Sequence, residues 1–240
     1  MKFNCLLVAC FALAASFGAA VWDKSPDKWS LSDVYRILED SPWSPAKVKL
    51  EAKSAPRQED SQAGPIQGPI DSNETSSAPG MQISRTKPEA DIPVIWWSSK
   101  TIRLAEQRLR QLRNPSSAKQ PLRVDDLPDY VLVVEGAEPV GILQDAKEDL
   151  HDTVFLELSD GTTLDLASVR FTEGPEGEPR AEFHFPKQVD GQPTLDPNSD
   201  RVILHCRATA KAPRPFEENS VALRADFKLQ TMKVRGIPDL

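Results

Sequence analysis

The chain has 240 residues, 36 acidic against 29 basic side chains, and a formal charge of −7. Net negative charge repels phosphate and excludes a general nucleic-acid binder. Of three cysteines, Cys5 and Cys10 lie in the first ten residues, which leaves Cys206 alone in the body; no intramolecular disulfide is expected in a mature chain, and the core itself must hold the fold.

The first predicted element is a secretory signal. "MKFNCLLVACFALAASFGAA" carries one lysine, Lys2, and then an uncharged apolar run through Ala20. Gly18 and Ala20 put small residues at −3 and −1 of a cleavage point before Val21, and the run is short for a membrane span. The expectation is an exported chain, periplasmic or extracellular. A lipid anchor at Cys10, in "LVAC", is the alternative. It is disfavoured because too short an apolar core precedes it and a greasy mature N-terminus would follow. No later run is long enough to span a bilayer.

Residues 21–49 form a helical segment built on "KWSLSDVYRILEDSPWS" at 28–44. Ser30 is placed to cap the helix, Asp33 completes a capping box, and Trp29 with Val34 suits a hydrophobic staple. Leu31, Val34, Tyr35 and Leu38 share one face, and Pro42 ends the helix. Nucleation costs so short a helix more than its few turns return. Its apolar stripe, Trp29 and Trp43 therefore need a surface. Tethering favours the protein's own body; a partner is the second reading.

From 50 to 92 the chain is rich in Pro, Ser, Gly, Gln and charge and has no aromatic residue. It cannot bury enough apolar surface to offset ordering its backbone, so a disordered linker is expected.

The body, 93–240, opens with an apolar strand running to Trp97. Ser98 or Ser99 then caps a helix carrying Ile102, Ala105, Leu109 and Leu112 on one face, with Asn114-Pro115 as its stop. "DYVLVVEG" at 129–136 is apolar on both sides, as a central strand requires. "GILQDAKEDLHD" reads as a short helix. Asp160-Gly161 marks a hairpin. "RAEFHFP" points Ala181, Phe183 and Phe185 one way and Arg180, Glu182 and His184 the other. Val202, Leu204, Cys206 and Ala208 share a face, as do Leu223, Ala225, Phe227 and Leu229. The phase slips to Met232 and Val234, which suggests a bulge near Gln230-Thr231. A strand–helix start followed by alternating strands predicts an α+β domain, a mainly antiparallel sheet covered by one or two helices.

"ILEDSPWS", "WWSSKTIRLAEQRL", "FHFPK" and "ADFKLQTM" resemble landmarks of an uncharacterised family of exported bacterial proteins. The resemblance implies export and a bacterial origin, and it carries no activity and no site residue.

Candidate chemistry is sparse. His205 and Cys206, neighbours on a strand, face opposite ways and cannot form a dyad; Cys206 reads as a buried structural thiol. His184 and His205 fall on the polar faces of strands that could be neighbours, and Glu182 could join them at a metal, but the spacing matches no ligand pattern and two solvated histidines are expected. "DPNSDR" at 196–201 starts like a calcium loop, yet Arg201 replaces its glycine and Arg207 its closing glutamate, so it reads as a turn. Acidic pairs such as Asp125-Asp126 and Glu217-Glu218 fall in loops.

The surface candidates are aromatic and basic. One ring of Trp96-Trp97 must face out of the strand, where it either stacks on a ligand or is covered. "KTIRLAEQRLRQLR" sets Lys100, Arg103, Arg108, Arg110 and Arg113 against Glu106 alone. That excess either contacts an acidic partner or is neutralised by the domain's own acidic loops. Trp29, Trp43, Trp97, Arg103 and Arg110 are thus the partner-binding candidates. The reading is a non-enzymatic binding protein of the envelope or extracellular space, with a protein or envelope-polymer partner and with no cofactor, metal or nucleic acid. The alternative is a hydrolase or other enzyme whose site no motif marks.

Overall fold

Ser30 starts the first helix, α1 (Leu31–Glu39), by the expected capping box. The Asp33 amide donates to Ser30 Oγ at 3.2 Å, and the Ser30 amide donates to Asp33 Oδ2 at 3.0 Å, an arrangement worth about 1 kcal/mol. The buried stripe is rotated from the expected one. Val34 and Ile37 are fully buried, Tyr35 and Leu38 sit at its margin, and Leu31 is 45% exposed. Leu31 is the first helical residue, so its side chain leans back past the surface on which α1 lies. That surface is α2 (Lys100–Arg113).

The computed structural model describes residues 20–45, 48–49, 91–114, 120–210 and 220–240. The signal through residue 19, with Cys5 and Cys10, the 50–90 stretch of the expected linker, Pro115 and Glu217-Glu218 lie outside the described residues. β1 (Val48–Lys49) pairs antiparallel with β2 (Asp91–Ile92). The last two positions of the expected linker are thus strand, held by an apolar seat for Ile92, which is buried.

β3 (Val94–Trp96) ends one residue before Trp97, and Ser99 caps α2 by accepting from the Ile102 amide at 3.3 Å. Ile102, Ala105 and Leu109 are buried as expected. Leu112 is not, since the last turn overhangs the body; Gln111 is buried instead, donating to the Gln120 carbonyl at 2.6 Å. β4 (Asp129–Glu135) follows. Gly136, at φ +117°, turns the chain into α3 (Ala137–Asp145), a conformation that favours glycine. This helix starts four residues before the expected one, and Pro139 sits in its first turn, where a missing amide costs nothing.

A 3-10 turn and α4 (Leu150–Thr153) lead into β5 (Val154–Leu158). β5 forms the expected hairpin with β6 (Thr163–Asp165) through Asp160-Gly161, with Asp160 Oδ1 accepting from the Thr162 amide at 2.9 Å. β7 (Ser168–Glu173), β8 (Pro179–Pro186), the ribbon β9 (Gln188–Val189) with β10 (Gln192–Pro193), β11 (Val202–Thr209) and β12 (Ser220–Phe227) follow. The 230–231 region is a 3-10 turn, Leu229–Thr231, rather than a bulge. Leu229 and Met232, three apart, are both fully buried, the spacing such a turn requires. β13 (Lys233–Val234) and β14 (Ile237–Pro238) close the chain's last ribbon.

The fold is α+β, with the long strands in two antiparallel sheets. One runs β3-β4-β8-β7 and the other β12-β11-β5-β6. α3 lies between them, touching β4 and β8 on one side and β11 and β12 on the other. The Trp96 ring joins the sheets directly, edge-on to Tyr130 at 5.6 Å and to Phe227 at 5.2 Å between centroids. The opposite face of the first sheet carries Arg180 and meets α2, with α1 outside it.

Candidate functional site

Glu106 stands on the buried stripe of α2, four residues after Ile102 and three before Leu109. A carboxylate in an apolar stripe must find a cation across from it. The β4–β8 register sets Arg180 directly beside Glu135, on the sheet face that α2 covers. Arg180 Nη2 lies 2.8 Å from Glu106, 2.5 Å from Glu135 and 3.3 Å from Glu178, and Arg180 Nε donates to Glu135 Oε1 at 2.6 Å. The Trp97 indole donates to Glu106 at 3.1 Å. The Arg180 and Glu106 side chains are only 7% and 5% exposed.

One guanidinium thus serves three carboxylates, and the surplus negative charge shows in both partners. Burial pushes the Glu135 carboxyl above its ordinary value; Arg180 pulls it back, while Glu178 and Glu106 add to the rise. Burial works against the Arg180 charge, but Glu106 and Glu135 outweigh it and move that group up as well. Gly174 leaves room for the Glu178 carboxylate beside Arg180. A Cβ there would stand 1.7 Å from Glu178 Oε1 and 2.6 Å from Arg180 Nε, so a larger residue would displace the Glu178 carboxylate and crowd the guanidinium.

Beside the cluster lies an open cleft of about 760 Å³. Tyr35 and Leu38 of α1 form one wall, and Pro45, Pro93 and Pro175 supply further flat apolar surface. Glu39, Glu135 and Glu178 face it, with Arg180 their only cation among the lining residues. Glu176, also on the rim, is paired with Arg113.

The five candidates read from the sequence are not on this surface. Trp29 and Trp43 are 2% and 0% exposed. Trp29 donates to the Val21 carbonyl at 3.1 Å, and Trp43 to the Asp239 carbonyl at 2.6 Å. Both rings are buried within the protein's own core, so neither is presented to a partner. Trp97 is half-buried, covered by Glu106 and by the Arg103 guanidinium 5.8 Å from its ring centre. Arg103 is itself buried, donating to the Asp125 and Ser98 carbonyls at 2.7 and 3.1 Å. Lys100 pairs with Asp126, Arg108 donates to the Trp29 carbonyl, and Arg113 meets Glu176 and Tyr35. Of the basic helix's five cations, Arg110 alone has no partner among the described residues.

His184 and His205 are not neighbours, because β8 and β11 belong to different sheets. His184 is buried rather than solvated, 3.4 Å from Asp129 and 3.7 Å from Glu182. His205 meets Glu157 at 2.6 Å and stacks on Phe155. Cys206 is buried, and burial pushes its thiol up to about 12. Residues 196–199 form a turn, with the Ser199 amide donating to the Asp196 carbonyl. Among the described residues no group of three acidic, histidine or cysteine side chains could hold a metal, and no helix is long and apolar enough to cross a membrane.

The cluster around Arg180 was not among the sequence candidates. The available signal was Glu106, a charge at a core position of an amphipathic helix, together with Arg180 and Glu135 on strands destined for one sheet. No protein-family model matches the chain, and no curated protein and no solved structure matches it.

Proposed function

We propose that the protein is a non-enzymatic binding protein that takes a basic, extended protein segment in the cleft beside Arg180. The observation that carries this is the charge imbalance, three carboxylates on one buried guanidinium at the wall of an open cleft. Tyr35 and the three prolines suit the reading, since the aliphatic stems of lysine and arginine lie well on flat apolar surfaces while their heads reach carboxylates. Glu106, Glu135 and Glu178 engage the cluster's arginine from three sides, which fixes the acidic wall in place for a cationic ligand.

Calorimetric titration with tetralysine tests this. Saturable binding at low salt is expected, weakening as salt screens the charges. Glu39→Gln and Glu178→Gln should each weaken it about fivefold, the loss of one partly exposed charge contact. Affinity equal to that of an uncharged peptide, or unmoved by both substitutions, would sink the proposal.

Export through the signal-like start belongs to the same proposal, supported by the sequence of residues 1–20 and by the resemblance to exported bacterial proteins. Cleavage before Val21 would keep the Val21 carbonyl for Trp29 and the Asp23 groups that receive Arg235. Intact mass of the protein from its native host should give a chain starting at Val21. A lipid-modified chain starting at Cys10 would overturn this.

A further inference from the structure

Arg110 stands in the last turn of α2, exposed and without a partner among the described residues. A second exposed arginine, Arg123, shares with it a hollow of about 350 Å³. The rest of the lining is Gln107, Gln111, Gln120 and Pro121, so no carboxylate faces the two guanidiniums from the described residues. Asp125, the acid nearest to Arg123 in sequence, lies outside the lining. The hollow shares no lining residue with the acidic cleft.

Hydrogen bonds hold these like charges in one place. Residues 120–123 are pinned to α2 at two points. Gln107 Nε2 donates to the Arg123 carbonyl at 2.8 Å, and Gln107 Oε1 accepts from the Arg123 amide at 3.1 Å, a two-point clamp on one residue's backbone. Gln111, which is buried, donates to the Gln120 carbonyl at 2.6 Å and accepts from Arg108 Nη1 at 3.2 Å. Both glutamines thus spend their side chains on the frame. Gln107, Arg110 and Gln111 lie three and four residues apart and share a face of the helix, so the clamp sets Arg123 beside the surface from which Arg110 rises. Two guanidiniums held there repel each other, and an anion between them turns that repulsion into attraction. The partial negative charge at the C-terminus of α2, about half a unit, works against an anion but is smaller than two full positive charges.

We infer that this hollow binds a phosphate monoester, with one guanidinium on each side of the phosphate group. The oxygens of a tetrahedral dianion point several ways and accept from two forks at once, whereas a carboxylate presents two oxygens in one plane and fits a single fork. Pro121 is the one apolar side chain among the described lining residues, so the charged head carries the recognition and an apolar body finds no seat. Two such contacts make a local site and not a nucleic-acid track, which needs a longer run of them.

The test is calorimetric titration of the full chain with glycerol 3-phosphate at low salt. Saturable binding of about millimolar strength is expected, as suits an exposed charge site, with acetate at least about fivefold weaker. Arg110→Gln and Arg123→Gln should each weaken the ester about fivefold, and exposed substitutions of this kind leave the fold intact. Gln107→Ala keeps both guanidiniums and releases the clamp, so it should weaken binding about threefold. Vesicles of neutral lipid with phosphatidic acid display the same group on a surface: tighter binding there than to the free ester assigns the site to a lipid headgroup, and equal or weaker binding assigns it to a soluble ester. Tetralysine binding should be unchanged in all three variants, which separates a failure here from a failure of the acidic-cleft reading. No saturable binding, equal affinity for acetate, or wild-type affinity in both arginine variants would each overturn the inference. So would wild-type affinity in Gln107→Ala, which would reduce the hollow to two loose surface charges.

Discussion

Replacing Arg180 with alanine is expected to destabilise the protein by about 3–5 kcal/mol at neutral pH, the cost of breaking a buried ion pair from one side. The substitution leaves Glu106 and Glu135 facing each other without a cation. The loss should depend on pH in a definite direction. In the folded protein the Glu135 carboxyl is held above its ordinary value. A carboxyl raised on folding costs nothing below its unfolded value; the cost builds as pH rises from that value to the folded one and is constant above it. Without Arg180 the downward pull is gone and the rise grows, so the variant's deficit should shrink between about pH 7.5 and about pH 5. Urea titrations at both values measure it. Adding Glu135→Gln should recover part of the loss at the higher pH. A deficit that is independent of pH, or below about 1 kcal/mol, would show the cluster to be solvated rather than buried.

Trp43→Ala should cost a similar amount, about 3–5 kcal/mol, as large buried side chains do. The residue is fully buried, meets Trp22 edge-on at 5.5 Å, donates to the Asp239 carbonyl, and offers its own carbonyl to the Trp96 amide at 2.7 Å. A helix merely resting on the surface would detach for about 1–2 kcal/mol, an ordinary point-mutant loss. Trp43→Phe keeps an aromatic ring and loses the indole donor, so it should cost only about 1–2 kcal/mol. Denaturant midpoints should not change with protein concentration, because the contact is intramolecular. A chain beginning at residue 91 lacks Trp29, Val34, Ile37 and Trp43, all buried in the shared core, and should be far less stable than the whole. Equal midpoints for that shortened chain and the full one would refute the account.

What could be read in the sequence was local or periodic. Ser30 and Asp33 cap α1 through neighbours three residues apart, Asp160-Gly161 turns a hairpin on its own, and the doubly apolar run of β4 admits only an interior place. Cys206 follows from alternation alone. Periodicity failed where the covering element mattered. It set Arg180, Glu182 and His184 on one face but could not say that α2 lies over part of that face. It made His184 and His205 look alike, though they belong to different sheets. It gave Leu31 and Leu112 to apolar stripes that run out before reaching them. The candidate site escaped for the same reason: Glu106, Glu135 and Arg180 come from three elements, and their meeting depends on strand register and helix placement.

The seam between the chain's two ends has a consequence for the order of folding. The Arg235 amide donates to the Asp23 carboxylate across 212 positions, and the Trp43 indole reaches the Asp239 carbonyl across 196. Contacts of such separation close the largest loops in the molecule, and the entropy of that closure is spent before the contacts return anything. During synthesis Trp43 leaves the ribosome long before Asp239 exists to receive it, and the amides that open α2 wait for the same residue. Until then the N-terminal tryptophans have no complete seat. Assembly thus joins residues 21–43 to residues 235–239, and this seam closes only once both have been made.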